Sequence, residues 1–329
     1  MAVDGDGNLV VACPNYGDAS QPAGLIKIDG QNRVTKLADV PPLAETGRAC
    51  PMGIAFGPDD ELYVCDNQNW PTGNGENGEI NQGRILRLKI REGKVDTTVV
   101  AKSISHPNGV RYRNGRLYVT VSMLPKVKRD DGLLTSAVYV FPAGGKNIKI
   151  SNTLADKQIL TTFVTLNRHC QYGADGLVFD SQGNLYVGNF GDGALHKITF
   201  DDNGGAKTNT IFAKTDHDYT LDPNQPGFLA KATKAKMRTT DGICIDSEDN
   251  IYVADFSNNA LAKVAPCGKI TVMAQNGDTD GSDGLMDQPG EPIIWNGRLV
   301  VTCFDMVTGP DKVNTAHDKP YTIVALDLK

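Results

Sequence analysis

The chain holds no apolar run near the roughly 20 residues that a membrane-spanning helix needs. It has no excess of positive charge either: Lys and Arg number 33 against 39 Asp and Glu, and the net charge of −6 is spread along the sequence. That excludes the electrostatic footprint expected of a nucleic-acid or anionic-membrane binder. No Cys-x-x-Cys pair occurs, so a thiolate zinc site is not expected. The 7 cysteines are odd in number and widely spaced. Several fall inside apolar strand-like runs, where a small buried thiol is the expected role. Such cysteine usage favours a reducing compartment and leaves one disulfide open. No secretory signal opens the chain, which favours the cytoplasm slightly. No segment carries the sustained period of a long helix.

What the chain has instead is repetition. One phrase recurs: a polar residue, Gly, a short apolar run, a turn, then Leu-Tyr-Val or a close variant. It reads "PMGIAFGPDDELYVCD" from Pro51, "PNGVRYRNGRLYVTV" from Pro107, "ADGLVFDSQGNLYVGN" from Ala174 and "TDGICIDSEDNIYVAD" from Thr240. "GEPIIWNGRLVVTCF" from Gly290 is a fifth copy, and "MAVDGDGNLVVAC" from Met1 is a sixth that lacks its first residues. Each copy is two β-rich runs joined by a turn, hence a hairpin. Asn114-Gly115 and Asn296-Gly297 are two-residue turns in which both residues need positive φ. A third apolar run follows each hairpin, as in "GRILRLKI" or "ALAKVAP", and often a fourth, as in "TVVAK" or "TVMAQ". The last copy stops after its third run. A unit of up to four strands, repeated roughly every 50 to 65 residues, predicts an all-β six-bladed β-propeller spanning 1–329 as one domain. Because propellers usually close by pairing strands from both ends, the incomplete first copy suggests a missing N-terminal segment that could have carried a signal, so the compartment stays open.

In a propeller the residue before each of these glycines stands at one mouth of the central channel. Those residues are Met52, Asn108, Asp175 and Asp241, with Glu291 at the matching place of the fifth copy. Three carboxylates and an amide gathered there would repel one another and resist desolvation, and a cation relieves both. Oxygen donors without Cys or His favour a hard ion, Ca²⁺ before Mg²⁺, Mn²⁺ or Zn²⁺. The simpler alternative is that each side chain caps its own turn. His106 and His169 lie on segments approaching the same mouth and are candidates for proton transfer. Trp70, in the insertion "NQNWPTGNGENGEINQG", is a candidate wall of the substrate pocket; so is the insertion "TDHDYTLDPNQPGFLAKATKAK". Two other strings suggest calcium. "DGDGNL" from Asp4 lacks the EF-hand glycine, having Leu9 there and Asn15 at position twelve. "NGDTDGSDG" from Asn276 matches an inter-blade turn as well as a cation loop.

The copy containing Asp175 resembles the metal-binding blade of the regucalcin/gluconolactonase family, in which a Pro-Asp-Gly motif supplies a metal-bound aspartate. "PNGVRY" is similar to that family's Ser-Asn-Gly, with Asn108 as ligand, and "GEPIIW" to its Gly-Glu-x-Pro-x-Trp, with Glu291 as ligand. Counting round from Glu291 reaches Asn108 and Asp175 in the family's order, with the blades circularly offset. The resemblance implies a divalent-metal lactonase acting on a small lactone or ester, with metal ligands Glu291, Asn108 and Asp175. Asp175 would also position or deprotonate water, and Asp241 would be an additional ligand or a neighbour of one. The sequence departs from the family at "GRACPMG", where Arg48 is one place off, Pro51 replaces an asparagine and Met52 faces the ring. A substrate less polar than a sugar lactone follows, against Arg48, Met52 and Trp70. Phosphotriester hydrolysis, a partner-binding NHL-like propeller and a metal-free condensing propeller are the alternatives.

Overall fold

Leu62–Asp66, Leu185–Asn189 and Ile251–Asp255 are buried at every position, whereas Val34–Asp39 and Ala206–Lys214 are mostly open to solvent. A strand covered on both faces needs a continuous apolar run, and a strand at a sheet edge does not. The recurrent Leu-Tyr-Val runs are therefore inner strands, and the polar fourth runs are edges. The computed structural model describes residues 1–15, 21–69, 81–91, 94–319 and 321–328.

Among these residues the strands form six sheets. The first has β1 (Ala2–Val3), β2 (Leu9–Cys13), β3 (Gly24–Ile28) and β4 (Val34–Asp39) in sequence order. The second has β5 (Pro51–Phe56), β6 (Leu62–Asp66), β7 (Gly83–Arg91) and β8 (Lys94–Ile104), with the short β12 (Ile148–Lys149) added parallel to β8. The third has β9 (Pro107–Arg113), β10 (Arg116–Val121), β11 (Leu134–Pro142) and β13 (Ile159–Thr165). The fourth has β14 (Ala174–Phe179), β15 (Leu185–Asn189), β16 (Ala194–Phe200) and β17 (Ala206–Lys214). The fifth has β18 (Ile243–Ile245), β19 (Ile251–Asp255), β20 (Ala260–Val264) and β21 (Ile270–Gln275), and the sixth β22 (Pro289–Trp295), β23 (Arg298–Cys303) and β24 (Ile323–Asp327). The fold is a six-bladed β-propeller, as the repeats predict. One short helix, α1 (Phe228–Ala232), stands among the described residues, inside the second insertion. No described helix is long and apolar enough to cross a membrane.

The chain divides into two compact units, Met1–Thr162 and Phe163–Lys329. In the first unit, one apolar cluster joins the first two sheets through Leu25, Ile54 and Leu86, and another joins the second and third through Tyr63, Val110 and Tyr139. In the second unit, Tyr186, Ile243 and Val253 join the fourth and fifth sheets, and Tyr252, Leu261 and Leu299 join the fifth and sixth. Each such side chain, fully buried, stabilises by about 1.5–3 kcal/mol.

The turns follow the sequence closely. Asn114 and Gly115 have φ of 49° and 75°, and Asn296 and Gly297 have 50° and 73°, the pair that a tight hairpin requires. In "DGDGN" the Asp4 carboxylate accepts the N–H groups of Asp6 and Asn8, so this string closes its own turn. "DSQGN" and "DSEDN" do the same through Asp180 and Asp246. In "NGDTDGSDG", Asp280 accepts the Ser282 N–H and Asp278 the Thr315 N–H, which makes it a turn tied to the last loop.

All seven cysteines are free thiols: Cys50, Cys65, Cys244 and Cys303 are buried, and only Cys267 is exposed. Burial pushes the Cys65 and Cys303 thiols up, and Cys170 to about 11. A thiol reagent at neutral pH should modify Cys267 in a single fast phase, because reactivity follows thiolate fraction and access. Cys267→Ser should abolish that phase; its survival would contradict this assignment of exposure.

Candidate functional site

Asp175 lies in β14, Asp241 two residues before β18, and Glu291 in β22. The glycines after Asp175 and Asp241 explain why these positions fall on closely packed neighbouring strands. A Cβ on Gly176 would stand 2.6 Å from the Ile243 nitrogen and 2.7 Å from the Asp241 carbonyl oxygen. On Gly242 it would stand 2.7 Å from both the Glu291 Cα and the Gly290 oxygen. The Gly242 N–H donates to the Gly290 oxygen at 2.9 Å. These glycines serve close backbone approach between the first strands of adjacent sheets. Gly53 serves likewise in the first unit, 2.5 Å from the Asn108 oxygen by the same construction. The polar-Gly phrase recurs because each of these sheet starts presses on the next.

Within the second unit, Asp175, Asp241 and Glu291 thus follow one another on three successive sheets. Asp175 is buried, and Asp241 and Glu291 are half-buried. The Asp241 N–H donates to the Ala254 oxygen at 3.0 Å, and the Glu291 N–H to Thr302 Oγ1 at 3.0 Å. Burial first, and the Glu291 carboxylate second, push the Asp241 carboxyl well above the usual carboxylate range, against a lowering hydrogen bond from the Gly242 N–H. A cation beside the pair would reverse both penalties. The donors are oxygens only, a chemistry that suits a hard divalent ion. Among the described residues, no group of three or more His, Cys, Asp or Glu side chains is gathered as a metal cluster.

In the first unit, Asn108 on β9 is buried and its Nδ2 donates to Ser122 Oγ at 3.3 Å. Met52 on β5 packs, half-buried, on the cluster of Tyr63 and Val110. Arg48 is exposed, and its carbonyl accepts Gln68 Nε2 at 3.0 Å. His106 is buried, with Nδ1 2.7 Å from Ser105 Oγ and Asn69 Nδ2 3.3 Å from each ring nitrogen. Burial lowers its pKa to about 4, so the ring is neutral at neutral pH. Trp70 lies outside the described residues. His169, in the second unit, is exposed and borders a small pocket with His217 and Arg238.

Sequence reading missed a set of carboxylates at the ends of the inner strands. Asp66 accepts the Cys50 N–H at 2.6 Å and the Arg84 Nε at 2.6 Å. Asp255 accepts the N–H groups of Arg238 and Thr239 at 2.8 and 2.9 Å. Asp192 accepts those of Leu166 and Asn167, both at 2.8 Å. Each carboxylate ties down the loop that leads into or beside a first strand. The signal was in the phrase itself, which ends "YVCD", "YVAD" and "FGD". Also missed were Asp287 and Asp305, each 2% exposed, each with an Oδ1 that meets no hydrogen-bond partner. Burial, then Asp305 and Asp278, then Asp318, push Asp287 up to about 7.

No protein-family model matches the chain, and no curated relative matches it by sequence. Solved structures do match. The PQQ-bound aldose sugar dehydrogenase of Streptomyces coelicolor has a TM-score of 0.58 at 14% identity, covering 98% of this chain and 92% of that one. XC5397 of Xanthomonas campestris, a gluconolactonase, has a TM-score of 0.54 at 14% identity, covering 91% of this chain and 80% of that one. A chain of the nidogen/laminin complex has a TM-score of 0.52 at 14% identity, covering 90% of this chain and 86% of that one. At these identities the likeness establishes the fold.

Proposed function

We propose that the chain is a lactonase-type hydrolase that opens a lactone or related ester. The observation that carries this reading is the juxtaposition of Asp241 with Glu291, on the sheets that follow the one bearing Asp175. A divalent ion, Ca²⁺ before Mg²⁺, Mn²⁺ or Zn²⁺, would be held by Asp175 and Glu291, with Asp241 as a further ligand or neighbour. When bound, such an ion polarises the ester carbonyl as a Lewis acid. Asp175 orients the attacking water. With such an ion bound, its carboxylate would be a weak base, and positioning would outweigh proton removal. Water adds to the carbonyl carbon, the ring C–O bond breaks, and the proton passes to the departing alkoxide. A gluconolactonase, XC5397 of Xanthomonas campestris, has a similar fold.

Calorimetric titration of EDTA-stripped protein with each of the four ions tests the reading. One site is expected, weakened at least roughly tenfold in Asp175→Ala and in Glu291→Gln, together with hydrolysis of a lactone panel. No binding in the wild type would overturn it and leave a partner-binding propeller, the role suggested by the neighbour in the nidogen/laminin complex.

A further inference from the structure

The loops leading into β14 and β18 border a small, partly open pocket in the second unit, with a cavity of about 20 Å³ at its base. Its polar lining includes Asn167, His169, His217, Arg238, Ser257 and Asp311. Arg238 is 3% exposed, and its guanidinium lies over the Phe228 ring, 5.7 Å from the centroid. One terminal nitrogen donates to the Ser257 carbonyl. Its Nε–H has no acceptor, and neither does the hydroxyl of Ser257, a residue 1% exposed. Two buried donors without acceptors therefore belong to residues that line one pocket.

Asp255 and Asp311 stand close enough to favour the Arg238 charge, yet neither accepts its Nε–H. The Asp255 carboxylate already accepts two backbone N–H groups and the Thr239 hydroxyl. Asp311 is paired with Lys312. Leaving a buried donor unsatisfied is costly, and more so for a charged group. Such a cost in a native site calls for an explanation, and an absent acceptor is a direct one.

We propose that this pocket binds the carboxylate of a small organic acid. A guanidinium edge matches a planar carboxylate, and the Ser257 hydroxyl adds a second donor. Leu221, Pro223 and Phe228 supply an apolar wall for a short carbon skeleton. His217 also lines the pocket. Burial and the charge of Arg238 hold His217 below its ordinary value, and a bound anion relieves the second of these. This inference goes beyond the hydrolase reading and does not depend on it.

The test is an NMR titration of the His217 ring with acetate and succinate, in EDTA, with acetamide and chloride as controls at matched ionic strength. Carboxylates should bind saturably and raise the His217 pKa; acetamide should do neither. Arg238→Gln should weaken binding at least roughly tenfold. Because Arg238 also packs on Phe228, Ser257→Ala is the second variant. It removes one hydroxyl, leaves the fold intact and should weaken binding several-fold. No saturable response in the wild type, or equal responses to acetate and acetamide, or unchanged affinity in both variants, overturns the proposal. Loss of metal binding at the acids would leave it standing, which keeps the two readings separable.

Discussion

Gly242→Ala should destabilise the protein by about 3 kcal/mol or more, the upper range for overpacking a filled interior. The new methyl group would meet the Glu291 Cα and the Gly290 oxygen at 2.7 Å, and the Glu291 Oε2 at 2.2 Å. The Glu291 carboxylate can swing aside, but the two backbone atoms cannot. Separating the strands would also stretch the hydrogen bond from the Gly242 N–H to the Gly290 oxygen. Gly290→Ala is the control. Its nearest neighbour would be Thr302 Oγ1 at 3.6 Å, ordinary contact, and stability should change by less than about 1 kcal/mol. Denaturant unfolding of the two variants checks this. Equal losses would mean that strand propensity, and not the approach of adjacent sheets, explains these glycines.

The second large effect is a pH dependence. Asp287 has a folded pKa of about 7, above the ordinary carboxylate value, with Asp305, Asp278 and Asp318 as the charged groups acting on it. Below about pH 4 the group is neutral in both the folded and unfolded states and costs nothing. As pH rises from about 4 to about 7 the unfolded chain releases the proton first, so the folded state loses stability through that window. Asp287→Asn removes the penalty and can donate to Asp305. The variant should match the wild type near pH 4 and exceed it by about 3 kcal/mol at pH 8. That figure follows from roughly 1.4 kcal/mol for each tenfold change in proton affinity, reduced for screening by solvent. Parallel stability profiles across this range would count against a crowded acid pair.

The hairpins were legible because their cause is local. Asn-Gly turns, Asp-x-x-Gly-Asn turns and runs such as "LYVGN" carry their geometry within a few residues. The alignment of Asp175, Asp241 and Glu291 was legible through repetition, although the reason for the glycines was not, since it lies in the adjacent sheet. What stayed hidden depends on partners far along the chain. Arg238 and Ser257 become a pair of unsatisfied donors only when the loop before β18 folds over the end of β19. Asp287 and Asp305 become a coupled pair only when β22 and β23 place their ends together. His106 read as a proton carrier on its position alone. Its burial beside Ser105 and Asn69 could not be inferred from "SHPNG".

The polar-Gly phrase also separates architecture from chemistry at single-residue resolution. At Gly53, Gly176 and Gly242 the backbone of the next sheet leaves no room for change. One position upstream the chain carries, in turn, Met52, Asp175 and Asp241, an apolar residue and two acids in the same structural slot. The immovable residue and the variable one are covalent neighbours. A propeller written this way can exchange the side chains in these slots blade by blade while its glycines hold the scaffold, which makes the slots the natural places to redesign it.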